Sequence, residues 1–483
     1  MVLAMQTLSQ LRRRDASPTL VLIIVCAGVV LAGLDLFIVN LAMPSIARDL
    51  HEPNLGSLSW VLSAYAIVYA SMLVLLGRLS EGRSRDIGFL LGAALFTLAS
   101  AACGAASGLG MLIVFRVIQA VGAALLTPTS LSLILATAAP EKRHSSVRAW
   151  TAVGGAAAAL GPVVGGLLVA ISWRLVFYVN VPIGLLAVTY GWLRLPDVPG
   201  HPVKAPDALG AALITGGVGL LTLGLVQGNS WGWGSGRVVG AIAAAAVLLI
   251  GFIVRLTRHH NPLFDPKLFR SRPFRGSSAV SLVFSTGFGA MLLSVILWMQ
   301  DVWHWSPLHA GVAFAPGPLM VPLFGLLITG RLIARFGPGP VIGVGATVFA
   351  AGAAWWVANA GLHADYVKMA LPASIMIGTG VGLTMPTFMA TATSQLPPQS
   401  LATGSAVVNM LRQVGLAIGV AVFVAVVGTP LTGPAALTAF RHGWAVIAGL
   451  GVAAAIVGLL TLRRQQPVVA VAPAATVRAS LAD

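Results

Sequence analysis

Of the 13 carboxylates in the chain, twelve fall in predicted loops, tails or helix ends, and only Asp35 lies deep in an apolar run, Leu34-Asp35-Leu36-Phe37-Ile38-Val39-Asn40. An ionised carboxylate in hydrocarbon costs about 2.5–3.5 kcal/mol on the insertion scale, so it must face a cavity or a partner and becomes a candidate for proton exchange. Arg116 and Arg412 are cations in the same situation, each inside an apolar run of its own. At about 1.5 Å per residue, Asp35 and Arg116 sit about 16 and about 10 Å below the same surface, an offset an arginine side chain bridges if their helices are neighbours. Paired with Arg116 the acid stays ionised; away from it, the acid takes a proton. Proton binding and pairing then influence each other reciprocally. The other reading of the same residues is a structural acid held by a buried arginine and never titrating.

Gln119 follows Arg116 by three residues, and Asn409 precedes Arg412 by three and Gln413 by four, so each set shares a helix face. These sets either line an aqueous cavity from opposite halves of the molecule or act as interhelical hydrogen bonds worth about 0.6 kcal/mol each. Asp301, beside Gln300 and Trp298, is either a helix-end carboxylate or a second acid, with Trp298 and Gln300 assigned to the cavity wall. Nothing points to covalent or metal chemistry. All nine histidines fall in predicted loops or at span ends, and the adjacent His259-His260 pair diverges instead of chelating. Cys26 and Cys103 both sit in apolar runs without metal-ligand or disulfide spacing. Gly378, Gly380 and Gly382 have apolar neighbours and no preceding strand, which makes them helix packing, and there is no P-loop. The expectation is a protein that is not an enzyme, has no metal or cofactor, and draws on a proton gradient instead of ATP.

The elements that must hold these residues are apolar segments long enough to span a bilayer, at 19–46, 58–79, 87–107, 109–136, 149–170, 177–195, 208–227, 238–257, 276–299, 308–330, 340–360, 367–393, 403–427 and 441–463. With 57% hydrophobic and 9% charged residues in 483, no large aqueous domain fits between them. An even number of spans puts both termini on one side. That side carries 22 of the 29 Lys and Arg, the other side five, and two lie within spans. This bias places the termini in the cytoplasm and accounts for the net charge of +16 without a nucleic-acid partner. Arg12, Arg13 and Arg14 precede a run too long for a cleaved signal, so the first helix is expected to be retained. Trp60, Trp173, Trp231, Trp233, Trp303, Trp305, Trp355, Trp356 and Trp444 fall near predicted outer helix ends and suggest an interfacial belt, with an aromatic cage as the alternative. The basic loop from Arg255 to Arg275 either lies along an anionic leaflet or is solvated.

Gly77-Arg78-Leu79-Ser80-Glu81-Gly82-Arg83 after the second span is echoed by Gly330-Arg331-Leu332-Ile333-Ala334-Arg335-Phe336-Gly337 after the tenth. The echo divides the chain into a tail 1–18, a six-helix half 19–195, a linker 196–207, an inserted helix pair 208–257, a basic loop 258–275, a second six-helix half 276–463 and a tail 464–483. In the fifth span, Gly161-Pro162-Val163-Val164-Gly165-Gly166 combines a small-residue packing face with a helix-breaking proline.

These residues resemble the major facilitator superfamily and, within it, the fourteen-helix drug:proton antiporter branch, over nearly the whole chain. Leu34-Asp35 with Val39-Asn40-Leu41-Ala42-Met43-Pro44 is similar to a first-helix pattern whose acid is implicated in proton coupling. Arg116-Val117-Ile118-Gln119 resembles the fourth-helix motif, and Gly161, Pro162, Gly165 and Gly166 the fifth-helix antiporter motif. Trp173-Arg174-Leu175-Val176-Phe177-Tyr178-Val179-Asn180-Val181-Pro182-Ile183-Gly184 and Arg412-Gln413-Val414-Gly415 resemble narrower signatures of the branch. Gly77, Arg78, Glu81, Arg83 and Arg85 correspond to its cytoplasmic gate loop, with Ser80, Glu81 and Gly82 standing where Ala, Asp and Arg are usual, and Ala120 replaces the glycine after Gln119.

The resemblance implies an all-α polytopic membrane protein with the major facilitator fold, 14 transmembrane helices in two six-helix halves plus two inserted helices. It also implies alternating access in the cytoplasmic membrane, both termini cytoplasmic, and a functional monomer. Its expected activity is export of a hydrophobic or amphiphilic small molecule in exchange for protons. The alternatives are a lipid or dedicated-metabolite exporter, or a non-transporting binding protein or sensor of the same fold. The single intramembrane acid leans toward a narrow or weakly cationic substrate range.

Overall fold

The computed structural model describes residues 17–81, 84–139, 142–199, 207–397, 400–428 and 433–462. The first half comprises α1 (Pro18–Asp49), α2 (Leu55–Glu81), α3 (Arg85–Gly104), α4 (Leu109–Thr137) and α5 (Arg143–Ile171), then a sixth span broken into α6 (Leu175–Tyr178) and α7 (Asn180–Arg194). The inserted pair is α8 (Ala208–Trp231) and α9 (Gly236–Arg258). The second half begins with α10 (Arg272–Leu297) and a span in three pieces, α11 (Pro307–Phe314), α12 (Pro316–Leu327) and α13 (Thr329–Phe336). It ends with α14 (Pro338–Asn359), α15 (Leu371–Thr393), α16 (Leu401–Val427) and α17 (Gly433–Thr461). Among the described residues 13 helices are long and apolar enough to cross a membrane, and α5, with its apolar stretch Leu160–Ile171, supplies the remaining crossing.

Residue chemistry explains where these helices start and break. Ser17 caps α1, its hydroxyl accepting from the Leu20 amide, with Pro18 in the first turn where no amide is needed. Prolines inside α1 (Pro44), α4 (Pro128), α5 (Pro162) and α15 (Pro386) interrupt the hydrogen-bond ladder. The Pro307, Pro316 and Pro322 series segments the tenth span. Beyond α10, residues Trp298–Val302 continue as one π turn, which rotates the following side chains relative to the helix.

The two halves pack alike. In the first, α1 lies on α5, α2 and α3 on α4, and α3 on α7; in the second, α10 lies on α16, α12 and α14 on α15, and α14 on α17. The halves meet along two seams, α2 against α16 and α5 against α11 and α12. The inserted helix α8 packs on both α2 and α16, and α9 packs on α8. Asp207 caps α8 through the Gly210 amide and pairs with Arg255 of α9 at 2.7 Å, tying the ends of this hairpin together.

The expected tryptophan belt is corrected in part. Trp303, Trp356 and Trp444 turn inward and stack with Trp298 and Phe440, with ring centroids 5.0–6.5 Å apart. Trp444 donates to Ser294 and Trp303 to the Gly361 carbonyl, so their polar atoms are satisfied inside the second half instead of at an interface. Trp173 is also buried, while Trp233 and Trp355 remain exposed.

Candidate functional site

Asp35 and Arg116 are brought into contact. Asp35 on α1 and Arg116 on α4 are 0% and 1% exposed, and Nη1 of Arg116 lies 2.5 Å from Oδ2 of Asp35. Gln119, one turn along α4, donates through Nε2 to Asp35 Oδ1 at 3.1 Å and accepts from Arg116 Nη1 at 2.7 Å. Arg116 Nε donates to the Val61 carbonyl of α2, and the guanidinium stacks 4.0 Å from the centre of the Tyr65 ring. The ion pair is therefore embedded in a network in which every formal charge has several partners, as burial demands.

A second shell of polar residues completes the network. Gln119 Nε2 also donates to the Ser100 hydroxyl of α3, which accepts from Asn180 Nδ2 and donates to the Phe177 carbonyl. The break between α6 and α7 sets Asn180 at a helix start, buried, where its amide reaches Ser100. Five spans thus converge on the carboxylate. On its other side, a gap of about 20 Å³ bounded by Asn40, Tyr65 and Arg116 opens toward Leu416, Ala417 and Val420 of α16. That volume is enough for about one water molecule beside polar atoms.

The assigned cavity residues divide. Arg412 lines a cavity of about 260 Å³ with Phe37 and Gly154 of the first half and Phe288, Phe314, Val321, Ile377 and Met385 of the second. Asn409 faces its own helix, donating to the Ser405 carbonyl, and Gln413 is buried without bounding this cavity. Gln119 belongs to the ion-pair network. Trp298 is fully buried in the aromatic stack, so its place is core packing. Gln300, carried by the π turn, donates to the Leu41 carbonyl of α1 at 2.9 Å and so joins the two halves at the end of the bundle opposite the termini. Trp298 opens the π turn and Gln300 lies inside it, and this change of pitch carries Gln300 to α1.

The same far end is closed by the fifth-span motif. Gly161 and Gly165 sit against Phe37 and Ile38 of α1, and Gly166 against Leu308 of α11, where a Cβ would lie 3.0 Å from the Leu308 Cα. A Cβ on Gly311 of α11 would come within 3.2 Å of the Gly166 Cα and closer still to the Pro162 carbonyl. Glycine at both positions lets the backbones of the halves touch. Gly311→Leu is therefore expected to force the far end open. With Cys26 and Cys103 buried, labelling of Leu308→Cys by a membrane-impermeant thiol reagent should speed up about tenfold in the Gly311→Leu background. Equal labelling rates would mean the crossing does not hold the closure.

Nearby, Asp49 at the end of α1 accepts from Arg174 Nη1 at 2.6 Å and from Trp173 Nε1 at 2.9 Å. The Arg174 guanidinium, with Trp173 second, holds this carboxyl below the usual carboxylate range, so it stays ionised at neutral pH. Trp173 and Arg174 in the sequence signature thus pin the far end of α1. At the opposite end, Arg78 donates to the carbonyls of Pro262 and Leu263 and to Asn261 Oδ1, clasping the loop after α9. Gly77 packs against Pro128, and the Arg85 amide bonds the Val198 carbonyl. Arg83 and the side chain of Glu81 lie outside the described residues. Ser100, Asn180 and Tyr65 were not singled out as site residues; Asn180 carried a signal in its signature, while Ser100 and Tyr65 carried none.

Comparison with known proteins gives a consistent set of relatives. Residues 25–420 match the family model described as Major Facilitator Superfamily. A puromycin resistance protein of Streptomyces alboniger is 35% identical over 430 residues, covering 87% of this chain and 83% of that protein. The tetracenomycin C resistance and export protein of Streptomyces glaucescens is 33% identical over 406 residues, 83% and 74% of the two chains. A multidrug export protein of Haemophilus influenzae is 32% identical over 394 residues, 80% and 76%. Among solved structures, a peptide transporter in complex with sulfate superposes with a TM-score of 0.66 at 16% identity, covering 91% of this chain and 94% of that one, a likeness of fold.

Proposed function

The chain belongs to the Major Facilitator Superfamily, and on that premise we propose that it exports hydrophobic or amphiphilic small molecules of the antibiotic class across the cytoplasmic membrane by alternating access, driven by proton entry. Relatives named for antibiotic resistance and for multidrug export support the efflux activity. The observation that carries the coupling is the buried Asp35–Arg116 pair, set beside a gap toward the seam between the halves.

The cycle uses the chain's own groups. With both termini in the cytoplasm, the closed far end is the outer side and the cavity at Arg412 discharges toward it only after Gly166 and Gly311 separate. In the closed-outside arrangement Arg116 is paired with Asp35. When the halves rock, α4 shifts against α1, the pair loosens, and the carboxylate takes a proton from the outer side because a lone ion in low dielectric is costly. Return to the closed arrangement brings Arg116 back, and the proton leaves toward the cytoplasm. One proton moved through 100 mV supplies about 2.3 kcal/mol, enough to hold about a 50-fold gradient of a neutral solute exchanged one for one. No ATP is needed, and one chain holds all the parts, so the functional unit is the monomer.

Reconstituted vesicles with an imposed pH gradient and a trapped pH dye test the reading. Hydrophobic cations, neutral antibiotics and amphiphilic acids are added in turn. Substrate-triggered proton movement is the expected result; a gradient untouched by every compound, with a ligand still binding, removes proton antiport.

A further inference from the structure

Among the described residues, Arg412 is the one charged residue lining the 260 Å³ cavity. Arg116, Arg174 and Arg255 each pair with a carboxylate, Asp35, Asp49 and Asp207, while Arg78 and Arg441 donate to backbone carbonyls. Among the described residues no carboxylate pairs with Arg412, and its buried Nε has no acceptor. The Tyr69 hydroxyl is engaged with Thr127 at 2.8 Å and, as a neutral phenol, supplies no counter-charge. Apolar side chains, Phe37, Phe288, Phe314, Val321, Ile377 and Met385, supply most of the remaining wall. An arginine cannot shed its charge. A guanidinium held in an apolar cavity without a counter-ion is a standing free-energy penalty that an anion relieves.

Resting on the efflux reading, we infer that the transported molecule is an amphiphilic anion, an apolar body carrying one carboxylate or comparable acidic group, and that Arg412 is the residue that recognises it. The acidic group accepts from the guanidinium while the body fills the aromatic and aliphatic wall; Ser374 on the rim offers a further hydroxyl. Of the narrow or weakly cationic substrate range suggested by the single intramembrane acid, this inference takes the narrow reading, for a physical reason. The acid that would have met a cation, Asp35, is already occupied by Arg116 and Gln119 outside this cavity, so the only charge left facing the ligand is positive. The cavity volume suits a small aromatic acid and excludes a long diacyl lipid.

The test compares 2-naphthaleneacetic acid with its primary amide, which differ in charge and little else, for binding to the purified full-length protein in nanodiscs at about pH 7.5, where the acid is ionised. Wild type should bind the acid at least about tenfold more tightly than the amide. Arg412→Met should erase this preference, the acid then binding no more tightly than the amide to the same variant, and Arg412→Lys should keep the preference. Equal binding of the two probes by wild type, or a preference that survives in Arg412→Met, overturns the inference. Should Arg412→Met fail to fold, as loss of amide binding would reveal, the wild-type ratio and Arg412→Lys decide the same question. If the amide alone binds and moves protons in vesicles, anion recognition fails and efflux stands; if neither probe binds or moves protons, both fail.

Discussion

Asp35→Asn is expected to lower uphill efflux about 100-fold, the size of a strong coupling free energy, while substrate still binds and still exchanges down its gradient. Asn has the shape of Asp and cannot carry the proton. The local fold should tolerate it, because Arg116 retains the Val61 carbonyl, the Gln119 carbonyl oxygen and the face of Tyr65. The guanidinium nevertheless loses its counter-charge, and breaking a buried pair from one side costs about 3–5 kcal/mol, so the variant is compared at matched amounts of folded protein. Counterflow of labelled against unlabelled substrate, which needs no net proton movement, separates the two effects: it should survive while accumulation against a gradient disappears. Accumulation at the wild-type rate in Asp35→Asn would leave the acid a structural role only.

The second large effect is on stability, and it distinguishes a coupling device from a structural staple. Arg116→Met strands a carboxylate that is 0% exposed, and breaking a buried pair from one side costs about 3–5 kcal/mol. Part of this is recovered if the stranded carboxylate takes up a proton. The folded variant then holds a proton that the unfolded chain has released, so its stability should rise as pH falls toward about 5, by linkage. The double variant Asp35→Leu with Arg116→Met removes both charges, and its thermal midpoint should return most of the way to wild type and lose that pH dependence. Both variants should be inactive in efflux. A double variant as unstable as the single one would show the pair to be held for stability.

The ion pair was legible because ionisable residues inside long apolar runs have so few permitted environments. Asp35, Arg116 and Gln119 announced themselves by type, depth and spacing, and the helix count followed from run length alone. The residues that complete the network did not. Ser100 and Tyr65 are ordinary in apolar helices, and only the convergence of α2 and α3 on α4 brings them to Asp35. The misplacement of Trp298, Trp356 and Trp444 has one cause. Depth along a span is readable from the sequence, but a helix apolar all round carries no period to say which face meets protein and which meets lipid. Gln300 needed in addition the π turn at Trp298–Val302, a local change of pitch with no signature in the chain.

The inserted hairpin has a consequence for how a solute reaches the cavity. A molecule that partitions into the bilayer approaches the transporter sideways, and the fold offers it two joints between the halves. Helix α8 lies across the joint of α2 with α16 and is backed by α9, whose exposed Val247, Ile250 and Ile253 face outward. Among the described residues the joint of α5 with α12 has no such cover, and there Gly154 and Pro318 already border the cavity. On the efflux reading, the extra helices would turn a two-doored protein into a one-doored one, with membrane-dissolved substrate sampled from a single flank.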